Sequence, residues 1–173
     1  MHTLQMAYSG ELAAALAYAG HWRSVREQLQ REAIHQIELD EWHHRRILLR
    51  MLNDLGERPI VWRDWMMRIL GYNIFFGCFV TGWFLPMYFA GRLEDGNILE
   101  YKQAAEHARC LGMLALESEL LDFSSKEEEH EAYFYQAVQT HWMLPYAVKI
   151  FGWGALPKAL HEIVKLQNPK DRF

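Results

Sequence analysis

Two short patterns, each occurring twice in this sequence, place carboxylates and imidazoles where helices would bring them together. Glu11 is followed two helical turns later by Tyr18, and Glu94 is followed at the same interval by Tyr101. Downstream of each comes a Glu-x-x-His motif, Glu41 with His44 and Glu127 with His130. Residues i and i+3 share one helix face, so each motif aims a carboxylate and an imidazole at a common point. Two lone Glu and two Glu-x-x-His pairs, projected from four facing helices, form the ligand set of di-iron and di-manganese carboxylate bundles. In that arrangement Glu11 and Glu94 bridge two metals, while Glu41/His44 and Glu127/His130 each hold one. Four ionised carboxylates would each cost several kcal/mol to desolvate, and two divalent cations offset their charge. Oxygen and imidazole donors without thiolate favour two Fe ions, or Mn, over structural zinc.

Other registers remain open at this level. Asp40 with His43 is also an i, i+3 pair, and Glu128 or Glu129 could stand in for Glu127. The Glu41/His44 and Glu127/His130 pairing is preferred because it alone gives both halves the same motif. Tyr18 and Tyr101 lie on nearly the same face as the lone Glu residues, either as hydrogen-bond donors to ligand carboxylates or redox groups, or as core aromatics. His43 and His107 are the remaining candidates for supporting the ligands.

The elements that must position these residues read as helices throughout. Met1 to Leu55 has no proline and is rich in Ala, Leu, Gln, Glu and Arg. A capping-box pattern, Ser24-Val25-Arg26-Glu27, divides it into helices over 3–23 and 25–54, ending at Gly56 and Pro59. Pro86 starts a helix over 86–109, Cys110-Leu111-Gly112 is a turn, and a helix over 113–143 follows. Ser125-Lys126-Glu127-Glu128 offers a competing cap within that last helix, but Leu120-Leu121 and Tyr133-Phe134 fit one continuous apolar stripe. A short helix near 157–166 completes the chain. No alternating β-type run occurs, so the expectation is an all-α, single-domain, ferritin-like four-helix bundle over about 3–143, with a C-terminal extension over 144–173.

Between the two hairpins Ile69 to Gly91 runs without a charge. Its length meets the criterion for a membrane span, yet a span would put the two halves of the ligand set on opposite sides of the membrane. Two readings remain for the segment from Trp62 to Leu85: a crossover helix buried on the bundle or in a homodimer interface, or a helix docked at a membrane surface. If it docks, Trp65, Tyr72, Phe75, Phe76, Trp83 and Tyr88 would line a way in for an apolar substrate.

Composition sets outer limits. Hydrophobic residues make up 51% against 23% charged, enough for a sizeable core. The net charge of −4, without any basic run, argues against nucleic-acid binding. Cys78 and Cys110 are the only cysteines and form no CxxC, and the first residues lack the pattern of a secretory signal. A cytoplasmic protein is expected, membrane-associated if the apolar block docks at a membrane surface.

Through these residues the chain resembles the ferritin-like superfamily. The stretch from Leu93-Glu94 through Tyr101 to Glu127-Glu128-Glu129-His130 looks like bacterioferritins and rubrerythrins, though Trp42 occupies the place of the bacterioferritin haem ligand and no rubredoxin-type CxxC pair is present. The order Glu, ExxH, apolar segment, Glu, ExxH is most similar to the demethoxyubiquinone hydroxylase group. That resemblance implies a di-iron enzyme that uses O2 and an external electron donor to hydroxylate an apolar, quinone-like molecule. The competing expectation is an iron-handling protein, with ferroxidase or peroxide-scavenging chemistry and the same six ligands. A non-catalytic helical binding module would require the repeated pattern to be accidental.

Overall fold

The computed structural model describes residues 2–154, and among them there are helices and no strands. Six helices follow one another: α1 (His2–Ser24), α2 (Gln28–Asp54), α3 (Val61–Val80), α4 (Phe84–Cys110), α5 (Leu114–Val138) and α6 (Leu144–Phe151). α1 packs on α2 and α4 on α5 as two hairpins, which meet where α1 touches α4 and α2 touches α5. The expected all-α bundle is therefore what the chain forms. The helix expected near 157–166 lies outside the described residues.

Several boundaries differ from those expected. α2 starts at Gln28, because Glu27 rather than Ser24 caps it: the Glu27 carboxylate accepts from the amides of Leu29 (2.9 Å) and Gln30 (2.7 Å). The Ser24 hydroxyl instead donates back to the His21 carbonyl. The helix expected to run to 143 stops at Val138, and Leu144 begins α6, which the sequence pattern does not announce. Pro145 accounts for the start of α6, since it fits a first turn, where no amide is needed. α5 runs unbroken through Ser125 and Lys126, so the competing cap there is not used. After α6 the chain folds back until Tyr88 donates to the Trp153 carbonyl and the Trp153 indole donates to Glu131.

α3 is the crossover, and it lies along α1. The approach is close enough to require glycine: a Cβ on Gly20 would fall 2.5 Å from the Phe75 backbone, and one on Gly71 would fall 2.8 Å from Leu16 Cβ. The start of α3 is tied down by Asp64, which accepts from Ser9 of α1 (2.9 Å) and pairs with Arg45 of α2 (2.5 Å). Its outer face, including Trp62, Trp65, Ile69, Phe76 and Val80, is exposed. The charge-free block is not one helix, because the chain turns at Thr81-Gly82-Trp83, where Gly82 has φ +78°. Among the described residues no helix is long and apolar enough to cross a membrane.

The interior is layered. One apolar cluster joins Ile34, Ile37, Met87, Phe134 and Val138. A second joins Leu4, Leu48, Leu52, Ala105 and Leu120. On every long helix of the two hairpins, the buried glutamates, and the histidines His44 and His130, fall between positions belonging to these two clusters.

Candidate metal centre

α1 contributes Glu11, α2 contributes Glu41 and His44, α4 contributes Glu94, and α5 contributes Glu127 and His130; all six are buried, and Glu41, Glu94 and Glu127 have no exposed surface. Their ligand atoms form two overlapping groups that could hold metal ions: Glu11, Glu41, His44 and Glu127, and Glu41, Glu94, Glu127 and His130. Within each group the atoms lie within 4.8 Å of one another. The competing residues His43, Glu128 and Glu129 are all exposed, and so is His107. A one-position change of helix phase rotates a side chain by about 100°, which is why adjacent acids cannot share the ligand role.

The two tyrosines connect the hairpins crosswise. Tyr18 of α1 donates to Glu94 Oε1 on α4, and Tyr101 of α4 donates to Glu11 Oε1 on α1. Each therefore orients the carboxylate belonging to the opposite half. Asn97 adds a donor to Glu94 Oε2 at 2.9 Å, so both oxygens of Glu94 have protein partners. This contact was not expected, although Asn97 lies one i, i+3 step from Glu94.

The histidines are supported unequally. His130 turns Nδ1 toward the carboxylates, 3.0 Å from Glu127 and 3.6 Å from Glu41, and turns Nε2 to Asp40 at 3.1 Å. Asp40 thus serves the other hairpin's histidine instead of pairing with His43. His44 also directs Nδ1 inward, 3.2 Å from Glu127 Oε1, without the alignment of a hydrogen bond. Among the described residues nothing bonds its Nε2. A cavity of about 320 Å³, lined by Asp40, His43, Asp122, Phe123 and Lys126 among others, also has His44 in its wall.

Burial is the largest influence on the carboxyls. It pushes Glu41 and Glu94 well above the usual carboxylate range, reinforced by the neighbouring acids, and raises Glu11 as well. Burial acts on Glu127 in the same direction, but contacts from His130 and His44 prevail and hold it at about 2. His44 moves up because Glu127 and Glu11 outweigh its burial. Protons or cations are therefore needed to balance this cluster.

Five buried atoms of the cluster have no hydrogen-bond partner: Glu11 Oε2, both oxygens of Glu41, His44 Nδ1 and Glu127 Oε1. Buried polar atoms are rarely left in this state, and a bound ion would satisfy all of them at once. They come from four of the six residues expected as ligands, and they are the oxygen and nitrogen donors that a hard or borderline divalent metal takes. The residues therefore fit a metal pair.

A second cavity, about 410 Å³ and almost wholly apolar, lies among α1, α3 and α4, lined by Tyr18, His21, Ile74, Cys78, Leu85, Phe89 and others. The residues expected to line such a space do not. Trp65, Tyr72 and Phe76 face outward, Phe75 packs on Gly20, Trp83 donates to Gln30, and Tyr88 is in the core. The charge-free block alone could not show which face of α3 would turn toward α1.

Comparison with protein-family models, curated proteins and solved structures finds no match to this chain. The function must therefore be inferred from the geometry of the site.

Proposed function

We propose that the protein is an O2-activating di-metal oxygenase of ferritin-like type, with two Fe ions held by Glu11, Glu41, His44, Glu94, Glu127 and His130, acting on an apolar small molecule with electrons from an external donor. The observation that carries this reading is the apolar cavity against Tyr18, whose hydroxyl bonds Glu94: one side chain separates a space for an apolar ligand from the carboxylate cluster. The metals, when bound, supply redox and Lewis-acid chemistry. The protein's own contribution is positional. Tyr18, Asn97 and Tyr101 fix the lone carboxylates, Asp40 fixes the His130 ring, and the two apolar clusters flank the centre.

A second reading, iron itself as the substrate of a ferroxidase or peroxide-scavenging protein, is favoured by the cavity at His44, where Asp40, Glu119 and Asp122 outnumber Lys126 and would draw cations inward along this route. In the oxygenase reading the same route serves metal loading.

Protein loaded anaerobically with Fe(II) should retain two irons per chain and consume O2. The double substitution Glu41→Ala/Glu127→Ala should remove metal retention while the helical content remains. Retention of no metal, or unchanged retention in the double variant, would sink both readings. Continued uptake of many irons per chain would favour the second.

A further inference from the structure

His21 is buried in the last turn of α1, and its Nε2 has no hydrogen-bond partner. It lies on the same helix face as Tyr18, and Phe134 of α5 stacks on both rings, with centroids 5.9 Å from His21 and 5.8 Å from Tyr18. The imidazole is thus fixed in orientation, and it lines the apolar cavity beside Ile74, Cys78, Leu85 and Phe89. Burial alone moves its pKa, down to about 4, so the ring is neutral near pH 7 and offers one N–H and one lone pair. An unpartnered polar atom in an interior is costly unless something bonds it. The volume of about 410 Å³ falls within the usual range for small-molecule sites.

We propose that His21 is the specificity-determining residue of this cavity: it bonds, through the imidazole, the single hydroxyl or carbonyl oxygen of an otherwise apolar ligand held against Tyr18. The cavity walls take the hydrocarbon part of the ligand, and His21 decides which end lies deepest. The fate of the ligand rests on the di-metal reading, but its binding needs no metal.

The probes are 2-naphthol, 1-tetralone and naphthalene, which share a two-ring skeleton and differ in carrying a hydroxyl, a carbonyl or no oxygen. Ligand-observed NMR on the full chain should show both oxygenated probes binding about tenfold more tightly than naphthalene, the range of one buried hydrogen bond. His21→Leu should abolish that preference and raise the thermal midpoint, since the orphaned atom is gone; His21→Gln, which keeps an amide donor, should retain the preference. Gly77→Phe provides an independent check. A Cβ at Gly77 meets open space, so this variant should fold and weaken all three probes alike by obstructing the cavity. Equal binding of the three probes to the wild type, binding of none, a preference that survives His21→Leu, or unchanged binding in Gly77→Phe would each overturn the assignment. Metal content separates the two ideas: His21→Leu should hold as much iron as the wild type, and a wild type that binds probes selectively but no metal would overturn the di-metal reading alone.

Discussion

At the residue scale the centre combines donors that the repeated pattern makes legible with supports that it does not. The six donors are visible because each Glu-x-x-His obeys helix periodicity within one element. The bond from Asp40 to His130 joins α2 to α5, and no spacing along the chain encodes it. Lys126 occupies the position before Glu127 that Asp40 occupies before Glu41, so the two histidines cannot be supported alike. A carboxylate on the far nitrogen fixes the ring and strengthens it as a donor, and losing such a partner typically costs 10–100-fold in metal affinity. Asp40→Asn should therefore weaken one of two metal-binding steps by about 10–100-fold and leave the other nearly unchanged. Competition against a chromophoric chelator with Co(II) would read both steps. Two steps that weaken together, or neither weakening, would mean that Asp40 does not act through His130.

At the element scale the position of α3 matters most, because one wall of the apolar cavity belongs to it. Helix type and order were readable from the apolar stripes, the Gly and Pro signals and the lack of alternation. The placement of α3 was not, since its charge-free second half, from Ile69 on, has apolar residues on every face and so no preferred side. Its docking is set by small residues that permit close approach, Gly20 and Gly71, and by the polar anchor of Asp64 with Ser9 and Arg45. α6 is not legible for a related reason: Pro145 reads equally well as a stop or as a first turn. Gly71→Ala would bring a methyl into Leu16 and the Ala13 backbone, where overpacking usually costs about 1–3 kcal/mol. Chemical denaturation should show a loss of that size, accompanied by weaker probe binding as α3 moves off α1, while metal retention persists because α3 contributes none of the six donors. Unchanged stability would show that α3 docks more loosely than the Gly71 contact requires.

At the scale of the whole molecule, the polar layer divides an otherwise continuous interior, and a metal bound there would make folding and metal binding a linked equilibrium. Four hairpin helices each bring acid to one level. The cost of this convergence is visible in the raised pKa values of Glu11, Glu41 and Glu94 and in five buried atoms without partners. The apolar clusters on either side must hold that layer together when no cation is present. An ion that binds the folded chain and not the unfolded one stabilises it by about 2.7 kcal/mol at a free concentration of 100 Kd. Adding Fe(II) or Mn(II) to chelator-treated protein should therefore raise the thermal midpoint by several degrees, in proportion to the logarithm of free metal once the sites are saturated. The direction is specific to this architecture. A bundle whose acids were solvated or paired with lysines would gain little, and the exposed pairs Arg50–Glu119 and Lys102–Glu128 should contribute no metal dependence. In Glu41→Ala/Glu127→Ala the response should vanish, and the metal-free variant should be no less stable than the metal-free wild type if relief of carboxylate crowding offsets the cavities left behind. A midpoint indifferent to metal in the wild type would mean that protons alone satisfy the layer and that the cluster is a structural feature of the bundle.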